Sequence, residues 1–151
     1  MIKFLLDLFL QGNETVKTFI VLLISNCLTY NIVAVFAFQK CLINLLKKQI
    51  NLPSIHYFSD GCSKQYKNKK NFLNLVHHYV DFGVSAKWSF SATSHGKGPW
   101  DGLAGSAKRE AALESLRRPL ENQILTPQEF YDFVKNKFTD VSVEFVSEKE
   151  I

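Results

Sequence analysis

Residues Thr18 to Ser25 form an unbroken apolar run rich in branched side chains, the pattern of a strand buried on both faces. A polar stretch from Asn26 to Asn31 ends it. Val35, Phe38, Leu42, Leu45 and Leu46 then recur along one helical stripe, which predicts a helix over Ile32 to Lys48. Lys47 and Lys48 close that helix, where cations favour the negative end. Pro53 leads into a short strand, Ile55 to Ser59. Phe72, Leu75, Val76 and Tyr79 return to helical spacing and predict a helix from Lys70 to Phe82. Gly83 fits the left-handed position just past its end. The clearest alternation follows: Val84, Ala86, Trp88, Phe90 and Ala92 interleave with Ser85, Lys87, Ser89, Ser91 and Thr93, which predicts a strand with one apolar face. A helix between two strands is a crossover connection, so Ser54 to Ser59 and Val84 to Thr93 are expected to be adjacent and parallel.

The segment Ser94-His-Gly-Lys-Gly-Pro-Trp-Asp-Gly102 stops that strand. A helix opens at Trp100 or Asp101 and runs to about Arg118, before Pro119. Gly102 and Gly105 are costly inside a helix and are expected to mark a close approach to another backbone or a ligand. Thr126-Pro-Gln-Glu129 reads as a capping box with proline at the first helical position, and Leu125 as a staple onto Phe130. Phe130, Phe133, Val134 and Phe138 supply the buried stripe. Val141, Val143 and Phe145 alternate as a last strand. The order β-α-β-α-β-α-α-β predicts one α/β sheet domain.

Composition narrows this picture modestly. The chain of 151 residues is long enough for one domain with a real core. A net charge of +4 permits a nucleic-acid partner without demanding one. Cys27, Cys41 and Cys62 are odd in number and contain no Cys-x-x-Cys pair, which argues against a disulfide scaffold or a zinc site and for a reducing, intracellular setting. Thr18 to Gln39 approaches the length of a membrane span, flanked by Lys17 and Lys40. The polar break at Ser25-Asn26 and Thr29-Tyr30-Asn31 divides it into a strand-sized and a helix-sized run, so membrane association stands as an alternative and not as the expectation. Met1 to Leu10 is apolar around Lys3 and Asp7, and lacks the small-residue cleavage site of a signal peptide.

The candidate chemistry is acidic and basic. Asp60 ends the Ile55 to Ser59 strand, at the strand edge where open α/β sheets bind ligands, and Gly61 allows a sharp turn after it. Asp101 follows the next strand at a helix start. Two carboxylates over one sheet edge can hold Mg²⁺, and two such ions can activate a nucleophile and steady the leaving oxygen of a phosphodiester. Lys64, Lys67, Lys69 and Lys70 follow Asp60; His95, Lys97, Lys108 and Arg109 surround Asp101. Their combined charge makes them candidate nucleic-acid contacts. The plainer readings are an Asp-Gly turn with a solvated lysine loop for Asp60, and a helix N-cap for Asp101.

The stretches Phe58-Ser-Asp-Gly-Cys-Ser-Lys-Gln-Tyr-Lys-Asn-Lys-Lys-Asn-Phe72 and Ala92-Thr-Ser-His-Gly-Lys-Gly-Pro-Trp-Asp-Gly102 resemble a group of transposon-derived invertebrate proteins, themselves similar to the ribonuclease H-like DDE transposase and integrase superfamily. The likeness implies a mixed sheet with flanking helices over residues 16–147, leaving 1–15 as a separate N-terminal segment and 148–151 as a tail. It implies that Asp60 matches the second acid of a catalytic triad and Asp101 the third. The superfamily begins with a three-strand antiparallel meander that carries the first acid. Here a single strand is expected before Ile32, and Asp7 is the one upstream candidate. The resemblance therefore implies an incomplete ribonuclease H-like domain lacking its first strands, without catalysis, retaining weak DNA binding and prone to self-association. It implies nuclear residence if DNA is bound, Mg²⁺ if the site functions, and no small-molecule cofactor. An active Mg²⁺-dependent nuclease or strand transferase, with the first acid from Asp7 or a partner chain, is the alternative.

Overall fold

A computed structural model describes residues 2–11, 16–29, 31–59, 62, 66–90 and 99–151, with side chains at all of these except 2–11, 16–19 and 99–101. The chain divides into two compact units. One comprises Met1–Asn26 and Gly98–Lys149; the other comprises Cys27–Lys97 and Glu150–Ile151.

The first unit is built on a three-stranded sheet. β1 (Ile2–Gln11) runs antiparallel to β2 (Val16–Ser25), with Leu6 opposite Val21 and Asp7 opposite Ile20. β1 corrects the expectation of a single strand before the first helix. The signal was a period of two, with Ile2, Phe4, Leu6, Leu8 and Leu10 all apolar; Leu5 and Phe9 at the intervening positions blur it into a featureless apolar run. Central β2 is buried from Val21 to Ile24 on both faces, as its composition predicts. Two helices of this unit, α3 (Pro99–Arg117) and α4 (Pro127–Lys137), precede β5 (Ser142–Val146), which joins β2 in parallel. The core gathers Leu22, Ile24, Ala107, Val134 and Val143, with Phe130, Tyr131, Phe133, Phe138 and Phe145 packed around it.

The cap of α4 is as the sequence predicts. Thr126 accepts from the Glu129 amide at 3.2 Å, and the Glu129 carboxylate accepts from the amides of Leu125 and Thr126 at 2.9 and 2.8 Å. Those donors, with the Thr126 hydroxyl, hold the Glu129 carboxyl below its ordinary range. Leu125 is exposed and, together with Phe130, Ala111 and Ile124, lines an open apolar groove of about 380 Å³. Among the described residues, a Cβ at Gly102 or Gly105 would meet nothing within 4 Å, so no neighbouring backbone approaches them closely there.

The second unit begins with α1 (Ile32–Gln49), capped by Asn31, whose side chain accepts from the amides of Val33 and Ala34 at 3.0 Å. Ala34, Val35, Phe38, Leu42, Ile43 and Leu46 are buried, while Leu45 is half-exposed. β3 (Ser54–Ser59), α2 (Lys69–Phe82) and β4 (Ser85–Phe90) form a parallel β-α-β unit in which Tyr57 faces Trp88 and Ser59 faces Phe90, the adjacency and direction the crossover predicts. Gly83 takes φ 63°, in the left-handed region, and its amide donates to the Tyr79 carbonyl at 2.7 Å. Lys47 donates to the Phe82 carbonyl beside it.

The strands therefore belong to two sheets, β1-β2-β5 and β3-β4, and not to the one sheet expected. The alternation that identifies a strand gives the spacing of its two faces but not its hydrogen-bonding neighbour. Residues Thr18 to Gln39 separate into β2 and α1, and no helix among the described residues is long and apolar enough to cross a membrane.

Candidate nucleic-acid interface

The basic cluster is positioned by the turn that enters α2. The amides of Tyr66 and Lys67 both donate to the Cys62 carbonyl, at 2.8 and 3.1 Å, and Asn68 caps the helix by accepting from the Asn71 amide at 2.9 Å. Asn71 turns inward, 2% exposed, and its side-chain amide donates to the Tyr66 carbonyl at 2.8 Å. Helix start and preceding turn are thereby tied together. Lys67, Lys69 and Lys70 project from this frame into solvent.

Beside them lies a row of rings. The Trp88 ring centre is 5.8 Å from Tyr66, 4.8 Å from Tyr57 and 6.1 Å from Phe90, the last pair stacked at 14°. Phe72 meets Phe90 edge-on at 6.0 Å. The Trp88 indole donates to Ser59 Oγ at 2.9 Å, which ties the ring to the C-terminal end of β3. Tyr66, Trp88 and Phe90 are half-buried, and Phe72 is open to solvent. Half-buried rings flanked by exposed cations suit a polyanion that carries flat bases: lysines meet phosphates, and π-faces stack on any base.

Behind this edge is a buried polar chain. His78, 1% exposed, donates from Nδ1 to the Val84 carbonyl at 2.7 Å, so in the neutral ring Nε2 is an acceptor, and Tyr57 Oη donates to it at 2.9 Å. The Gln39 side chain hydrogen-bonds the same hydroxyl; its Oε1 has no partner among the described residues, so the amide nitrogen is the donor. Burial pushes the His78 pKa below the usual imidazole value, against the opposing pull of the Val84 carbonyl and Asp81. Burial likewise raises the Tyr57 phenol far above its ordinary range. Both groups are neutral at physiological pH and orient α2 on β3 and β4.

The family comparison can be placed against this geometry. A family model described as a domain of unknown function, DUF8701, matches residues 4–151. The chain belongs to that family. No curated protein and no solved structure matches it. The DUF8701 match includes residues 4–15, which the sequence reading set apart from the domain, and so takes in most of β1.

The predicted site residues of this DUF8701 chain fall into three groups. Lys67, Lys69 and Lys70 are brought together at the start of α2. Lys108 and Arg109 lie exposed on α3, in the other unit, and Asp101 lies in the first turn of that helix, its side chain outside the description. Asp60, Lys64, His95 and Lys97 lie outside the described residues. Among the described residues no group of three or more His, Cys, Asp or Glu is placed to hold a metal ion. The sequence reading missed the aromatic row. Its signal was present: Trp88 and Phe90 share the apolar face of the alternating strand, and Tyr66 stands within the lysine run.

Proposed function

We propose that this chain is a nucleic-acid-binding domain derived from a ribonuclease H-like transposase or integrase, retained for binding and without strand-transfer chemistry. The observation that carries the reading is the edge formed by Tyr66, Trp88 and Phe90 with Lys67, Lys69 and Lys70 at the head of α2. Rings offer stacking to bases of any sequence, and cations offer phosphate contacts, so the ligand is a flexible single strand recognised without strong sequence preference. The parallel β3-α2-β4 unit supports the ancestry, because it sets this edge at the C-terminal ends of two parallel strands.

The test is fluorescence anisotropy with single-stranded and duplex oligonucleotides across a salt series. Three phosphate contacts imply a slope of log affinity against log salt of roughly −2 for single strands. The Lys67→Glu, Lys69→Glu, Lys70→Glu variant should abolish binding, and Trp88→Leu should weaken single-strand binding more than duplex binding. Affinity that is independent of salt, or unchanged in the triple variant, refutes the proposal.

One observation favours a second reading, a Mg²⁺-dependent nuclease. Asp7 stands on a paired strand, β1, where the sequence had offered it none. Cleavage assays with Mg²⁺ and Mn²⁺ on the purified chain separate the two readings. Metal-dependent cutting that Asp60→Asn and Asp7→Asn each abolish establishes the nuclease; no cutting in the presence of salt-sensitive binding establishes the binding domain.

A further inference from the structure

The rings of the candidate edge are not held alike. Tyr57 is fixed twice over: its ring is buried, and its hydroxyl is tied to His78 and to the Gln39 amide. Trp88 is half-buried, with its ring centre 4.8 Å from Tyr57, 5.8 Å from Tyr66 and 6.1 Å from Phe90. Such packing decides where an indole sits. The last torsion of an aromatic side chain is broad, however, so packing alone leaves the plane of the ring loosely set. The bond from Trp88 Nε1 to Ser59 Oγ, at 2.9 Å, removes that freedom. Ser59 is the last residue of β3 and lies in register with Phe90, two positions beyond Trp88. The bond therefore runs diagonally across the two strands and pins the indole from the neighbouring backbone. In this orientation the Trp88 plane lies within 14° of the Phe90 plane.

The same bond has a chemical consequence. An indole carries one hydrogen-bond donor and no acceptor. With Nε1–H directed to Ser59, Trp88 has no polar atom left for the edge of a base, and what it offers is its face. A face stacks on every base, whereas a free donor favours the bases that set an acceptor against it.

We infer that Ser59 is a positioning residue for nucleic-acid binding: it fixes the Trp88 indole in its stacking orientation and takes up the ring's one donor, so that this position accepts any unpaired base. The role rests on the reading of this edge as a single-strand site, and it names the residue that sets the site's tolerance of base identity. Ser59 acts through Trp88 and not on the ligand.

Fluorescence anisotropy of the full chain with labelled homo-oligomers of dA, dC and dT tests it. The wild type should bind the three strands with similar affinity. Ser59→Ala keeps the ring packing and removes the pin. Affinity should fall about fivefold or more, the lower end of what stacking one base is worth, and the spread among the three strands should widen as the donor is freed. The slope of log affinity against log salt should stay at the wild-type value, because the lysines are untouched. In a Trp88→Leu background the same substitution should cost less than about twofold, since the ring it acts through is gone. Ser59→Thr keeps the oxygen on a side chain suited to a strand and should restore most of the affinity. Urea midpoints of the variants check that each is folded during the titrations. A Ser59→Ala chain that binds like the wild type, a loss equally large with and without Trp88, or a Ser59→Thr chain no better than the Ala variant overturns the inference, while the effect of Trp88→Leu still tests the site itself. Equal losses on all three strands overturn the part of Ser59 in base tolerance. A wild type that binds no oligonucleotide overturns the site and this role with it.

Discussion

Replacing Tyr57 by Phe isolates one oxygen in a buried chain of hydrogen bonds. The ring keeps its packing on Trp88 and its edge contact with His78, whose ring centre is 5.6 Å away. What disappears is the donor to His78 Nε2 and the acceptor for the Gln39 amide. His78 is held in place by Nδ1 on the Val84 carbonyl, so it cannot swing to find another donor, and water has no exposed path to a residue at 1% accessibility. An unsatisfied buried acceptor costs about 1–3 kcal/mol, and the stranded Gln39 donor adds to this; the better burial of Phe returns a small part. The expected loss is about 2–3 kcal/mol. Urea unfolding measures it as a lowered midpoint at constant slope. Tyr79→Phe is the control, since an exposed phenol should shift stability by less than about 0.5 kcal/mol. A Tyr57→Phe cost inside that same margin would show that the chain of bonds does not orient α2.

Two further outcomes follow from the same groups and from the α4 cap. The folded His78 pKa lies below the unfolded one, so the unfolded chain takes up the proton first; stability from this group is complete above about pH 6.5 and is lost as pH falls from there through the folded pKa, and the urea midpoint should drop between pH 7.5 and 5.5 in the wild type by more than in a His78→Gln variant. Thr126→Ala removes the hydroxyl that accepts from the Glu129 amide and should lower the melting temperature by roughly 2–4 °C, while Thr126→Ser should restore most of it.

Local chemistry was legible where a residue's role is decided within a few positions of itself. The Thr126 box, the Gly83 left-handed cap and the alternation of Val84 to Phe90 depend on backbone geometry that the residue types dictate directly. The parallel pairing of β3 with β4 was also legible, because the length of the intervening helix leaves few other connections. Strand β1 was not, since apolar residues at both parities hide a period of two. The division into two sheets was not either: which strand edges meet depends on contacts between segments more than a hundred residues apart, as in β2 with β5, and no local pattern encodes them. For the candidate site, the lysines at the head of α2 could be read directly, but two of the rings that give them a second chemistry, Trp88 and Phe90, come from a strand that follows the helix.

Helix α2 shows why a hydrophobic stripe and a buried face are different things. The stripe rule assumes that apolar burial decides which side of a helix turns inward. Here the inward side is chosen by hydrogen bonds with fixed addresses. Asn71 reaches the Tyr66 carbonyl one turn before the helix, and His78 bridges the Tyr57 hydroxyl on β3 and the Val84 carbonyl just before β4. Asn71 and His78 are separated by seven positions, two turns, so they lie on one face and act together. Exposing that face would break these bonds and gain little apolar burial. Exposing the opposite face leaves Leu73, Val76 and Val80 in water, at a cost of about 1.5–3 kcal/mol for each such side chain that full burial would recover. The orientation of α2 is thus set within its own β-α-β unit: Asn71 and His78 hold the polar side inward, and from the apolar stripe Phe72 keeps an edge contact with Phe90.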